Sequence, residues 1–149
     1  MKYFEEVSLP AFDIKSFYQE LVKLRPVMGD RYQHAKGWVS IDLVVNSTPQ
    51  LVLTLCPTVR DWLKTQNFKK VYAAVLDSRG HIDWHRDQTH EKMSDAINLY
   101  IQTNKFSVIQ FEDGTNWKPE TGKAYRFRAD IKHRVINASK QARVVLNLW

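Results

Sequence analysis

A single cysteine, Cys56, stands among the 149 residues, so no disulfide can form within the chain, which accords with a reducing compartment. Long apolar runs are missing as well: nothing approaches the roughly 20 consecutive residues that a membrane-crossing helix requires. The opening MKYFEEVSLPAFD is acidic and has no apolar core of the secretion-signal kind, so the cytoplasm is the expected location and no membrane partner is expected. Dense basic runs are absent too. Lysine and arginine outnumber the acids to a net +6, yet they are scattered, and no stretch has the density of a nucleic-acid-binding arm. Nucleic acid is therefore not an expected partner, whereas an anionic ligand suits the charge. There is no internal repeat and no low-complexity linker. With 44% hydrophobic and 26% charged residues, the composition is that of an ordinary globular chain able to bury a core, and one domain is expected over residues 1–149.

Two helices are legible in the first half. In AFDIKSFYQELVKLRP, Asp13 can cap the start, Ile14, Phe17, Tyr18, Leu21 and Val22 recur at i, i+3, i+4, i+7 and i+8, and Pro26 ends the run. In CPTVRDWLKTQN, Thr58 and Asp61 form a capping-box pattern, with Val59, Trp62 and Leu63 along one side. The remainder reads as short strands rich in β-branched and aromatic residues: GWVSIDLVV, LVLTL, KKVYAAVLD, GHIDWHRD, AINLYIQ, FSVIQFE, GKAYRFR, KHRVIN and ARVVLNLW. Turn sequences such as DSRG, QTNK, EDGTN and NASKQ part them. Such strands, with little helix after residue 67, predict a mainly β fold, a jelly-roll-like barrel with the N-terminal helices packed on one sheet. Residues 1–69 would form the helical and flanking-strand part, and residues 70–149 the barrel core.

Chemistry concentrates in GHIDWHRD, Gly80 to Asp87, which holds His-x-Asp twice: His81-Ile82-Asp83 and His85-Arg86-Asp87. Residues two apart on a strand point the same way, so such a pair can present two ligands to one metal ion. By that rule His81, Asp83, His85 and Asp87 all share one strand face, and spacing does not choose between the pairs. His34 and His90 stand alone and are read as structural or exposed, with His90 in a loop. His133 shares a strand face with Val135 and Asn137, and Arg143 shares one with Val145 and Asn147 on the next strand. A five-residue hairpin loop, Ala138 to Ala142, would set Asn137 opposite Arg143 and His133 opposite Asn147. His133 and Arg143 would then lie on one face, roughly 13 Å apart along the strands.

Two histidines and a carboxylate on three corners of an octahedron leave three positions open, as in non-haem Fe(II) oxygenases. Two open positions can chelate a 2-oxo acid and the third can take O2. An arginine further along can clamp the far carboxylate of that acid with its planar fork. A His-x-Asp pair, a distant histidine and an arginine one strand later thus compose one chemical device.

These residues form a pattern that resembles the aspartyl/asparaginyl β-hydroxylase-like family of 2-oxoglutarate- and Fe(II)-dependent oxygenases. The family's Gly-x-Ile-x-x-His-x-Asp is matched by Gly80, Ile82, His85 and Asp87. Its later Gly, Phe and His-x-Val-x-Asn-x-Ser-x-x-x-Arg are matched by Gly122, Phe127, His133, Val135, Asn137, Ser139 and Arg143. The likeness spans about residues 70 to 149 and implies a double-stranded β-helix. It implies Fe(II) as cofactor, with 2-oxoglutarate and O2 consumed; His85, Asp87 and His133 as metal ligands; and Arg143 on the far carboxylate of 2-oxoglutarate. His81 and Asp83 are then left outside the metal site, with surface exposure expected. Asp87 also precedes the polar Gln88-Thr89-His90, where a strand opening into a loop lets a carboxylate turn onto a metal. Many family members carry Arg-x-His on the following strand. Here DAINLY places Ala96 and Asn98 at those positions, so Asn98 is the expected second contact to the cosubstrate, in a polar row with Tyr100 and Gln102.

The resemblance implies hydroxylation of an unactivated C–H bond on an amino-acid-like substrate, with release of succinate and CO2. That substrate is a free amino acid, or an Asp, Asn or Pro residue in a polypeptide. Asn137 and Ser139 are read as turn-shaping residues, and Trp84 and Trp117 as core or cover residues. Two other readings stand beside this one. An oxygenase acting on nucleic acid would need an aromatic and basic binding run that the chain lacks. A non-catalytic cupin-like binder of a metal or small ligand would use the same three side chains for Zn(II) or Ni(II).

Overall fold

Alternation along the strands and two short helices account for most of the chain, seen here in a computed structural model that describes residues 3–30, 34–87 and 93–149. In chain order the elements are β1 (Phe4–Val7), α1 (Ile14–Val22), β2 (Gly29–Asp30), β3 (Ala35–Val45), β4 (Thr48–Pro49), α2 (Pro57–Lys64), β5 (Val71–His85) and β6 (Ile97–Gln102). There follow β7 (Ser107–Phe111), β8 (Asn116–Trp117), β9 (Ala124–Phe127), β10 (His133–Asn137) and β11 (Arg143–Leu148). Among the described residues no helix is long and apolar enough to cross a membrane.

Helix α1 begins as its sequence predicts, with the Asp13 carboxylate accepting from the Ser16 backbone N–H at 3.1 Å. Its Phe17 and Leu21 are fully buried, each contributing about 1.5–3 kcal/mol relative to exposure. The chain then tightens into a 3-10 turn, Arg25–Val27, around Pro26. Helix α2 departs from its expected capping box. Pro57 opens the helix, leaving Cys56 at the cap position with no side-chain bond to offer. Glu20 of α1 supplies the cap from outside, its two oxygens accepting from the Thr58 and Val59 N–H groups at 3.0 Å each. A carboxylate on unpaired amides at the positive end of a helix is favourably placed. Glu20→Ala is expected to lower the unfolding free energy by about 1–2 kcal/mol, and Thr58→Ala to change it by less than about 0.5 kcal/mol. Urea denaturation of both variants tests this, and a larger loss in Thr58→Ala would restore the capping box. LVLTL is another departure: it forms a 3-10 helix, Leu51–Leu55, with only Leu53 buried. Short apolar runs read alike as strand and as helix.

Strand β5 organises the sheets. DSRG, expected to be a turn, does not end it; the strand continues for 15 residues and passes there from one sheet to the other. Its first half, Val71 to Leu76, pairs with β11 on one edge and with β3 on the other. Its second half pairs with β10. Arg79 takes a positive φ of 63° at the crossing. A Cβ on Gly80 would fall 2.7 Å from the Lys36 carbonyl oxygen, so close backbone approach demands glycine there. The outcome is two facing antiparallel sheets, β1-β9-β6-β11-β5-β3 and β5-β10-β7-β8, a double-stranded β-helix.

The expected β10–β11 hairpin is therefore replaced by a crossing between sheets. Each strand pairs with a different half of β5, so the hairpin register and the distance drawn from it do not apply. Asn137, buried, holds the connection: its amide donates to the carbonyls of Leu76 and Asp77 at 3.1 Å and of Gln141 at 2.8 Å. The Ser139 hydroxyl donates to Asn137 Oδ1 at 2.7 Å. Both residues shape the connection, as their sequence context suggests, by tying it across to β5.

Strands of the larger sheet are apolar on both faces because both are covered. Ala73 and Val75, Leu99 and Ile101, and Val144, Leu146 and Leu148 pack outward against Phe17 and Leu21 of α1 and Val59, Trp62 and Leu63 of α2. Ala74, Leu76, Tyr100 and Val145 face inward, towards Ile109, Phe111, Phe127 and Val135. Trp117 belongs to this inner core, stacked on Phe4 at 4.5 Å. Trp84 is exposed and carries Arg134 over its ring.

Candidate active site

A β-bulge separates the two His-x-Asp pairs. His133 of β10 pairs with His85, and Val135, two residues on, pairs with Ile82, three residues back. The extra residue on β5 reverses the alternation between them. Ile82 and His85 thereby both line the barrel interior, which corrects the expectation that all four residues share a face. His81 and Asp83 point outward, where they pair with one another at 3.2 Å with side chains 42% and 61% exposed. His34 is exposed in the turn before β3, and His90 lies outside the described residues.

His85, Asp87 and His133 converge. Their ligand atoms lie within 4.8 Å of one another. Asp87 Oδ1 is 3.4 Å from His85 Nε2, and Oδ2 is 3.5 Å from His133 Nε2. The backbone fixes all three: His85 and His133 are cross-strand partners, and the Asp87 N–H donates to the Ala129 carbonyl at 2.9 Å. Both imidazoles have Nδ1 against a backbone carbonyl, His85 on Asp83 at 2.6 Å and His133 on Ile131 at 2.7 Å. Each Nδ1 therefore donates to its carbonyl, and each Nε2 faces the carboxylate, the nitrogen that metal-binding histidines turn towards the ion. Burial works to raise the Asp87 carboxyl, but the hydrogen bonds from His133 and His85 outweigh it and hold the group well below the usual carboxylate range. Burial works to lower the His85 imidazole, and the Asp87 carboxylate and Asp83 carbonyl overcome it, leaving it above its ordinary value. Two imidazole Nε2 atoms around a carboxylate fit a divalent cation of the non-haem iron type.

The three side chains open onto a cavity of about 500 Å³ between the sheets. Arg143 reaches it from the first position of β11, buried, its guanidinium donating to the Tyr100 hydroxyl at 3.2 Å and lying over the Tyr100 ring. Asn98 lines it from β6, its Oδ1 accepting from Asn147 Nδ2 at 2.6 Å. Tyr100 lines it too, but Gln102 does not. An extra residue on β6, where Gln102 and Tyr100 pair with the adjacent Val144 and Val145, turns Gln102 aside, and its amide donates to the Ala142 carbonyl. Tyr72, Asn147, Lys70 and Trp149 also line the cavity. None of these four was singled out from the sequence, although Asn147 and Trp149 continue the alternation begun by Arg143.

A double-stranded β-helix with histidine and carboxylate ligand atoms at its interior defines the class, the jelly-roll fold shared with 2-oxoglutarate oxygenases. Similar solved structures include a prolyl-4-hydroxylase of Pseudomonas putida, with a TM-score of 0.63 and 13% identity, covering 99% of this chain and 91% of that one. The viral collagen prolyl hydroxylase of Paramecium Bursaria Chlorella virus-1, in complex with 2-oxoglutarate, has a TM-score of 0.61 at 13% identity over 99% and 94% of the two chains. An oxidoreductase of the 2OG-Fe(II) oxygenase family from Burkholderia pseudomallei has 0.54 at 14% identity over 96% and 82%. No curated protein sequence matches the chain significantly. The family model for aspartyl/asparaginyl beta-hydroxylase matches residues 13–148, and the chain belongs to that family. It is a dioxygenase dependent on 2-oxoglutarate and Fe(II). The match extends well N-terminal to the motif-bearing half, into the helices that cover the larger sheet.

Proposed function

We propose that the protein hydroxylates an unactivated C–H bond of an amino-acid-like substrate, either a free amino acid or an Asp, Asn or Pro residue in a polypeptide. In this reading His85, Asp87 and His133 hold Fe(II), Arg143 takes the far carboxylate of 2-oxoglutarate, and Asn98 contacts its other end. The observation that carries it is the convergence of the three ligand atoms on a cavity that also holds a buried arginine. Among the described residues no carboxylate pairs with that arginine, so it is available to an anionic ligand, and its planar fork suits a carboxylate. The Asn98 oxygen is occupied by Asn147, which leaves its amide N–H groups for an acceptor. Iron bound with 2-oxoglutarate and O2 supplies the oxidising chemistry, giving succinate, CO2 and the hydroxylated product. The chain orients the ligands, neutralises the cosubstrate and lines the reaction space with Ile82, Ile109, Val135 and Val145, which limits water near the reacting carbon.

The test is a visible spectrum. Metal-free protein mixed with Fe(II) and 2-oxoglutarate without oxygen is expected to develop the weak charge-transfer band of a bidentate 2-oxo acid on iron. Admission of air with an amino acid or short peptide should then yield succinate and a product 16 mass units heavier, the mass of one added oxygen atom (about 16 Da). Iron binding without the band would overturn the assignment of the ligands and of Arg143.

A further inference from the structure

We infer that Lys70, seated against Trp149 at one end of the cavity, recognises a free carboxylate on the substrate. The inference rests on the function proposed above and specifies what that site accepts. Of the described residues lining the cavity, Lys70, Arg86 and Arg143 are cationic and only Asp87 is acidic. A divalent ion and a dianionic cosubstrate would cancel one another, so the positive excess of the lining is left for something else. Arg86 faces the Glu112 carboxylate at 3.8 Å, and Arg143 is assigned to the cosubstrate. Lys70 has no carboxylate within ion-pairing distance among the described residues; its ammonium lies 4.9 Å from the centre of the Trp149 ring.

Register sets Lys70 well apart from Arg143. Arg143 pairs with Leu76, and Lys70 stands six residues earlier on that strand line, roughly 20 Å away by strand rise. In the proposed function both ends of 2-oxoglutarate are assigned, one to Arg143 and the other to the metal and Asn98, so Lys70 is left to another anion. Between them lies a polar rung in which Tyr72, Asn147 and Asn98 are cross-strand neighbours. Within this rung, Trp149 Nε1 donates to Asn147 Oδ1 at 2.5 Å and Asn147 Nδ2 donates to Asn98 Oδ1 at 2.6 Å. Main-chain bonds hold Trp149 to Lys70 from both sides, the Trp149 N–H donating to the Lys70 carbonyl at 2.9 Å and the Lys70 N–H to the Trp149 carbonyl at 3.4 Å. The ring, itself fixed by Asn147, thus seats the ammonium at the cavity. A substrate lying against Tyr72 and Asn147, with its carboxylate on Lys70, balances the charge. The carboxylate is either the α-carboxylate of a free amino acid or the side chain of an acidic residue in a peptide.

Calorimetry decides this without turnover, using Mn(II) in place of iron with 2-oxoglutarate saturating. The titrants are L-proline, L-aspartate and L-asparagine, their α-carboxamides, and tripeptides blocked at both ends with Asp, Asn or Pro in the centre. At least one carboxylate-bearing titrant is expected to bind, and neutralising that carboxylate should weaken it about 10- to 100-fold. Lys70→Ala should weaken the acid by the same factor and leave its amide unchanged, while Lys70→Arg should restore most of the affinity. Binding of a free amino acid but not its carboxamide assigns the α-carboxylate. Binding of the blocked Asp peptide but not the Asn peptide assigns the side chain. Equal affinity of acid and amide for the wild type, binding by none of the titrants, or equal losses for both in Lys70→Ala would each overturn the inference. The anaerobic Fe(II)–2-oxoglutarate band, recorded for each variant, separates the failures. A wild type without the band sinks the proposed function and this inference together, whereas a band without discrimination between acid and amide sinks the inference alone.

Discussion

His85→Ala is expected to lose 2-oxoglutarate turnover and the Fe(II)–2-oxoglutarate band, whereas His81→Ala keeps both. The two residues belong to identical His-x-Asp patterns, so the pair of substitutions isolates the effect of the bulge between Ile82 and His85. Loss of a group that only orients a metal ligand lowers metal affinity about 10- to 100-fold; loss of the ligand itself should exceed 100-fold. Of the three proposed ligands Asp87 and His133 would remain, and two ligands hold a divalent ion poorly. His81, half-exposed and paired, among the described residues, with the exposed Asp83, should change stability by less than about 0.5 kcal/mol. Steady-state turnover with circular dichroism as the folding control gives the answer, and inactivity of a folded His81→Ala would assign the metal site to the first pair instead.

The second large effect is on the cosubstrate. Arg143→Ala is expected to raise the 2-oxoglutarate concentration for half-saturation roughly 100-fold, because removing one member of a buried, hydrogen-bonded charge pair costs about 2–5 kcal/mol. The proposed metal ligands are untouched, so the band should return in full at high 2-oxoglutarate. Arg143→Lys should recover only part of the affinity, since an ammonium lacks the planar fork that matches a carboxylate. The substitution also frees the Tyr100 hydroxyl, which accepts from Arg143 at 3.2 Å. Tyr100→Phe, expected to shift half-saturation by less than about 10-fold from loss of one hydrogen bond, measures that contribution separately. Half-saturation unchanged in Arg143→Ala would remove the arginine from the cosubstrate site.

Local patterns carried much of the architecture. The Asp13 cap and the spacing of Phe17 and Leu21 specify α1 by contacts within a few residues, and the period-two alternation in AINLYIQ and ARVVLNLW specifies strands wherever they pair. The ligand-type residues were equally legible as types: two His-x-Asp pairs, a later histidine and an arginine ten residues beyond it, arrayed as in the family to which the chain belongs. What the sequence by itself determined was therefore the kind of fold and the chemical candidates.

Tertiary pairing decided the rest. DSRG has the composition of a turn, yet β5 passes through it because Asp77 to Gly80 packs against β3 so closely that a Cβ on Gly80 would meet the Lys36 carbonyl. The loop from Asn137 to Arg143 has the length of a hairpin, yet its flanking strands pair with different halves of β5. Thr58 and Asp61 have the spacing of a capping box, yet Glu20 arrives from another helix to take the amides. Which His-x-Asp pair faces inward follows from one extra residue opposite β10. Each of these depends on a partner distant in sequence, and alternation counted along one strand cannot reveal a bulge that exists only relative to its neighbour.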